Sequence, residues 1–245
     1  MKLKKQLSCQ QVESILLKAF AGGVDITFIG SYYLEFNMSE SFFQAVQIIK
    51  SEKVLIYPTE TLWGMGGTGT SKAVVQKIRE LKKRPVHKPF PLIAGTLEQA
   101  RSFVAMDPES LELAGQFWPG PVSILCRALD MLAPGVRDEQ GMVSIRVTPH
   151  RDAARLCLDA GTPLIATSAN ISGEKSCAVF EELDSKLLEK VDMVFEHGHA
   201  PAGGLPSTLV RVFGGGKIEI LREGRISRQD LESRGWETVY KTDHG

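Results

Sequence analysis

From Met38 to about Gly224, short apolar runs alternate with segments whose apolar residues recur at helical spacing, and this alternation constrains the fold most. Runs that are apolar throughout must be covered on both faces, and intervening helices supply the cover. Lys53–Tyr57, Pro91–Ala94, Val122–Cys126, Met142–Val147, Leu164–Ala166 and Asp192–Phe195 read as strands. Helical spacing appears in Phe42, Phe43, Val46, Ile48 and Ile49, capped by Ser39 or Ser41, and over Ala73–Leu81, Leu97–Val104 and Asp152–Ala160. Thr208–Phe213 and Lys217–Leu221 flank Gly214-Gly215-Gly216 and read as a hairpin. Strands interleaved with helices and ending in a hairpin predict an α/β fold with a sheet of mixed direction.

Residues 1–37 stand apart from this pattern. Val12, Ile15, Leu16, Ala19 and Phe20 form one amphipathic helix that stops at Gly22-Gly23, followed by the apolar run Ile26-Thr27-Phe28-Ile29-Gly30. The expected division is an N-terminal extension of unknown role, 1–37, a single domain over 38–226, and a short C-terminal tail, 227–245.

Lysine plus arginine number 29, and so do aspartate plus glutamate, which argues against a surface built throughout for nucleic acid. It leaves room for a local basic pocket. The four cysteines, Cys9, Cys126, Cys157 and Cys177, form no C-x-x-C pair, which points to a reducing compartment without a disulfide frame or thiolate metal site. No apolar run reaches the roughly 18 residues of a membrane helix, and no apolar signal core follows the first lysines. The expected localisation is cytoplasmic, with no membrane partner.

Four polar clusters fall at strand ends, where α/β proteins place ligands. The first is Pro58-Thr59-Glu60-Thr61, followed by Trp63-Gly64-Met65-Gly66-Gly67. Glycines there let a ligand approach backbone closely, but alone the segment reads first as a Gly-rich turn. It is neither G-x-G-x-x-G nor a Walker A loop. The second, Lys82-Lys83-Arg84-Pro85-Val86-His87-Lys88-Pro89, suits polyphosphate or, equally, a basic helix terminus. The third, Ala166-Thr167-Ser168-Ala169-Asn170-Ile171-Ser172-Gly173, offers small donors and acceptors, as either a ligand cradle or a turn. The fourth sets Pro206-Ser207-Thr208 beside Leu221-Arg222-Glu223-Gly224, so that Ser207 and Arg222 face one site if the hairpin forms. Phe117-Trp118-Pro119-Gly120-Pro121 reads as a rigid aromatic corner, and His197-Gly198-His199 as a surface loop lacking the ligands of a zinc site.

In order and spacing these segments resemble the YrdC family over about residues 40 to 226. The matching elements are Tyr57-Pro58-Thr59-Glu60-Thr61, Lys82-x-Arg84-Pro85 with Lys88-Pro89, Trp118-Pro119-Gly120-Pro121 and Val143-Ser144-Ile145-Arg146. They continue through Thr167-Ser168-Ala169-Asn170 with Ser172-Gly173, Pro206-Ser207-Thr208, and Leu221-Arg222-Glu223-Gly224.

The resemblance implies a twisted mixed sheet curled around a positively charged cavity. It also implies an ATP-using enzyme, a nucleotidyltransferase, that makes threonylcarbamoyl-AMP from L-threonine, bicarbonate and ATP for a tRNA modification. By the same match Lys82, Arg84, Ser168 and Asn170 line the cavity as catalytic residues. Arg84, Lys88, Ser168, Ser176 and Arg222 fall at ATP, and Thr61, Arg146, Ala166 and Ser207 at threonine. The implied cofactor is Mg²⁺ with ATP, without a protein metal site. The implied partners are tRNA, in weak contact, and proteins that complete threonylcarbamoyl transfer.

The chemistry agrees with the residue types. A carbamate oxygen attacks the α-phosphorus and expels pyrophosphate, so two anions must be held together by placed cations. Gly67-Thr68-Gly69-Thr70 and Trp63 depart from the family pattern, as does His197, yet no cation or hydroxyl of the site set is lost. Two alternatives remain at this stage: a carbamoyltransferase-related domain, and a non-catalytic RNA-binding module.

Overall fold

The computed structural model of the chain describes residues 40–173, 177–196 and 198–240. Contacts divide the chain into residues 1–43 and 44–245, and the first unit lies almost wholly outside the described residues, as does the amphipathic helix expected at Val12 to Phe20.

The second unit opens inside a helix, α1, over residues 40–50, which buries Ala45, Val46 and Ile49. Strand β1 (Leu55–Pro58) is buried at every position, and β2 (Trp63–Gly66) folds back on it antiparallel. The Gly-rich turn expected at 64–67 is therefore largely a strand. A Cβ on Gly66 would lie 1.8 Å from the Ile165 carbonyl oxygen, and one on Gly67 2.6 Å from that of Lys53. These two glycines admit the protein's own backbone, not a ligand.

Helix α2 (Lys72–Lys82) starts at Ser71, whose side chain accepts from the Val74 N–H, and ends at Lys83 in the left-handed region at φ 49°. There follow β3 (Leu92–Ala94), α3 (Leu97–Arg101) and β4 (Val104–Ala105). The helix expected over Leu97–Val104 ends at Arg101, and Val104 pairs with β5 instead. Helix α4 (Pro108–Phe117) is missing from the sequence reading, although Asp107 caps it and Pro108 opens it.

Strands β5 (Val122–Ala128) and β6 (Met142–Val147) precede α5 (Arg151–Ala160). Strands β7 (Leu164–Ile165) and β8 (Thr167–Ser168) are consecutive but pair in different sheets. After α6 (Ser185–Leu188) come β9 (Met193–Val194), β10 (Thr208–Gly214) and β11 (Lys217–Arg222). The hairpin forms as expected, β10 against β11 antiparallel.

The smaller sheet has the order β8-β2-β1-β9, and the larger continues from α7 (Arg228–Glu232) and β12 (Glu237–Tyr240) as β12-β11-β10-β5-β6-β3-β7. Both sheets mix parallel and antiparallel pairs. The stretch expected as a short tail thus carries a capped helix and an edge strand through Tyr240. Leu231 and Trp236 are buried in the core, which is why it folds onto the sheet.

One apolar cluster joins the faces of both sheets, including Ile56, Met65, Ile78, Phe90, Ile124, Ile145 and Val210. The Trp118 corner packs against it and its indole Nε1 donates to the Val122 carbonyl at 2.6 Å, a core role rather than a binding platform. Among the described residues no helix is long and apolar enough to cross a membrane.

Candidate active site

The β1–β2 turn at Thr59–Leu62 and strand β8, both of the smaller sheet, come together with the ends of β6, β10 and β11 of the larger sheet. These ends enclose a cavity of about 390 Å³. Thr59, with its hydroxyl donating to the Leu62 carbonyl at 2.7 Å, closes the β1–β2 turn that forms one wall. Two larger hollows, of about 780 and 710 Å³, contain none of the residues expected at the site.

Of the expected residues, Thr61, Arg84, Arg146, Ala166, Ser168, Ser207 and Arg222 line this cavity. Three guanidiniums therefore face one small volume, and no carboxylate is among its described lining residues. Burial first, then the Arg79 and Arg222 guanidiniums, hold Arg84 below the ordinary arginine value. Burial and then Arg146 do the same to Arg222. Arginine stays protonated regardless, so crowding of like charge here becomes attraction for an anion.

Each guanidinium is held by different partners. Arg84 donates from Nη2 to the Pro89 carbonyl at 2.8 Å and from Nε to that of Lys88 at 3.2 Å, lying 5.0 Å from the centre of the Phe90 ring. Arg222 donates to the Ser207 carbonyl at 2.8 Å and hydroxyl at 3.2 Å, and that hydroxyl lies 3.0 Å from the Ser123 hydroxyl. Arg146, on β6, crosses to Glu60 on the β1–β2 turn, with Nη2 at 2.8 Å and Nε at 2.9 Å from Oε1.

Glu60 is the residue the sequence reading missed. Its second oxygen accepts from the Thr148 hydroxyl at 2.8 Å. Burial works to raise its pKa, but Arg146 and the Thr148 hydroxyl outweigh it, and the carboxyl sits below its ordinary value. The available signal was an acid set among hydroxyls at a strand end, with Arg146 placed at threonine but given no partner of its own.

Three of the expected residues that the structure describes, Lys82, Lys88 and Asn170, are not in the cavity lining. Lys88 is exposed on the loop and offers Arg84 its carbonyl. Lys82 is 2% exposed and directs its ammonium at the Ser168 and Asn170 carbonyls. Asn170 is buried, with its amide oxygen accepting from Lys82 and from the Ser168 hydroxyl. Ser176 lies outside the described residues, as does His197. His199 is exposed, with Nδ1 3.4 Å from Asp152 Oδ2. Among the described residues no cluster of three His, Cys, Asp or Glu side chains is placed to hold a metal.

The family model described as "Sua5_yciO_yrdC: Telomere recombination" matches residues 47–224. A threonylcarbamoyl-AMP synthase of Vibrio parahaemolyticus is 33% identical over 155 residues, covering 62% of this chain and 84% of that protein. One from Stenotrophomonas maltophilia is 34% identical over 164 residues, covering 66% and 87%. The crystal structure of P. abyssi Sua5 with L-threonine superposes with a TM-score of 0.73 at 25% identity, over 83% of this chain and 59% of that one. This chain therefore spans about three fifths of the archaeal protein's length. E. coli YciO has the same fold, with a TM-score of 0.67 at 22% identity over 75% of this chain and 89% of that one. The cavity residues from Thr59 to Arg222 fall within the matched span, and the chain belongs to the Sua5/YciO/YrdC family.

Proposed function

We propose that this chain makes threonylcarbamoyl-AMP from L-threonine, bicarbonate or CO₂, and ATP, releasing pyrophosphate, as the first step of threonylcarbamoyladenosine formation in tRNA. The observation that carries the reading is a small cavity with three guanidiniums and no carboxylate in its described lining. Such a site is built for more than one anion at once. The relatives' printed names, and the threonine-bound archaeal structure, support the same assignment.

Arg146 takes the threonine carboxylate. Glu60 occupies two of its five N–H donors and orients the rest. Thr61, Ser207 and the Ala166 backbone surround the amino acid's polar groups. Arg84 and Arg222 receive phosphate oxygens, Lys88 on the exposed loop adds a further cation for them, and Ser168 and Ser176 complete the ATP site. Threonine's amine adds to carbon dioxide to give a carbamate. One carbamate oxygen attacks the α-phosphorus, the bond to the β-phosphate breaks, and pyrophosphate leaves with the electron pair. The guanidiniums absorb charge developing on phosphoryl oxygens, and holding the two anions in line supplies much of the acceleration.

Magnesium fits here as a metal brought by the nucleotide. With no carboxylate in the described lining and Glu60 engaged by Arg146 and Thr148, the triphosphate supplies its anionic ligands. When bound it neutralises phosphate charge. The product passes to tRNA through further transfer proteins, and the protein works in the cytoplasm.

Pyrophosphate release from ATP, measured with and without threonine and bicarbonate, tests the proposal. Release that requires both is the expected result; release indifferent to threonine removes it.

A further inference from the structure

We infer that Lys82 is a positioning residue, whose ammonium group fixes the Ser168–Asn170 segment so that Ser168 faces the cavity, and that it does not bind phosphate itself. The inference deepens the proposed function and takes its activity readout from it. Its starting observation is a count of donors. A lysine ammonium has three N–H groups. In the structure Nζ meets three oxygens: the Ser168 carbonyl, the Asn170 carbonyl at 2.5 Å, and the Asn170 amide oxygen at 3.3 Å. No donor remains for a ligand. Lys82 is also 2% exposed and absent from the cavity wall, while Ser168 and Arg84 are part of it.

The segment it grips is pinned from several sides. The Ala169 N–H donates to the Trp63 carbonyl at 2.8 Å, tying it to β2, and the Ser172 N–H donates to the Lys82 carbonyl at 2.9 Å. The end of α2 thus holds the loop by backbone and side chain together. Three carbonyl-type oxygens converging on one buried point need a cation to share that space, and a neutral side chain of similar length leaves them without a partner. Burial, then the neighbouring Arg84 guanidinium, pulls Lys82 down to about 7, so a charge at this point is held against a cost that the three oxygens must offset. The Ser168 hydroxyl donates to the same Asn170 amide oxygen, which sets the rotamer of a residue that lines the cavity.

The test compares Lys82→Met with Arg84→Ala in the full chain. In Lys82→Met, hydrogen exchange over residues 166–173 should quicken by at least about tenfold. Its kcat should fall by at least about tenfold, while KM for ATP stays within about threefold. Arg84→Ala should leave exchange there unchanged and, besides its fall in turnover, show a large rise in KM for ATP. Unchanged exchange in Lys82→Met together with an ATP defect matching Arg84→Ala would overturn the inference. A crystal structure of the wild-type protein with ATP decides the matter even if the variant does not fold. Nζ should remain on the Ser168 and Asn170 carbonyls, and its transfer to a phosphate oxygen would sink the idea. Failure of the proposed function would instead show as wild-type protein lacking threonine-dependent pyrophosphate release, and both the exchange and crystal results remain readable in that case.

Discussion

The two ends of the cavity hold their cations in different ways. At one end Arg146 is paired with a buried carboxylate, Glu60, which is locked in turn by Thr148. At the other, Arg84 and Arg222 are held by carbonyl and hydroxyl oxygens, which orient a guanidinium without cancelling its charge. A cation already paired, with N–H donors left over, suits a ligand of single charge, such as an amino-acid carboxylate. Cations left uncompensated suit a triphosphate. The same residue type is thus tuned by its partner, and on the proposed function the partner is what separates the two anion sites.

The largest expected effect comes from the uncompensated end. Arg84→Ala should cut turnover by at least about a hundredfold, as expected for removing a stabiliser of developing charge. Its thermal midpoint should barely move, because the side chain binds loop carbonyls rather than a charge. A large loss of stability with normal turnover per folded molecule would mean that Arg84 is structural.

At the compensated end, Arg146→Ala should weaken threonine binding about tenfold or more with ATP binding little changed, as measured by titration calorimetry of each ligand. It should also destabilise the fold by roughly 3 kcal/mol, since it strands the Glu60 carboxylate. Equal losses for both ligands would erase the distinction between the two ends.

Glu60→Gln sharpens the comparison further. It preserves shape but releases Arg146 from compensation, so threonine affinity should drop by about threefold to tenfold through lost orientation. The pH dependence has a definite sign. A carboxyl whose folded pKa lies below its unfolded value adds stability that is complete above the unfolded value and is lost as pH falls through the folded one. The stability gap between wild type and Glu60→Gln, from denaturant titrations, should therefore close on acidification below about pH 4.5. A gap that widens in acid would refute the pairing.

The smallest effect is expected from the N-terminus. A chain starting at Met38 should keep turnover within about tenfold of the full chain, with both ends of the cavity intact. Aggregation, or a greater loss, would show that 1–37 is part of the working domain.

Much of this was legible beforehand. The paired runs around Gly214-Gly215-Gly216 could only fold back on each other, and they bring Ser207 and Arg222 together. The β-branched run Met142–Val147 is a strand with the expected bounds. Helix α4 was hidden because its buried positions are only Ser110, Leu113 and Ala114, too few and too small to form a clear periodic stripe. Strand β2 was hidden because its glycines look like a turn until the Ile165 backbone is seen against them. Glu60 was read as one polar residue among several, since its partner is 86 positions away.

By itself, then, the sequence determined the elements and the chemical inventory: a cation-rich loop, a small-hydroxyl loop and a hairpin that closes on them. Only the tertiary structure decided which of two cations, Lys82 or Arg84, lines the cavity. Lys82 is the last residue of α2 and turns inward to the loop carbonyls. Lys83 then takes a left-handed conformation, and Arg84 emerges on the cavity side. Two residues of like charge, two positions apart, part company because a single reversed backbone angle and a distant loop's oxygens set their directions, and neither is written in the local sequence.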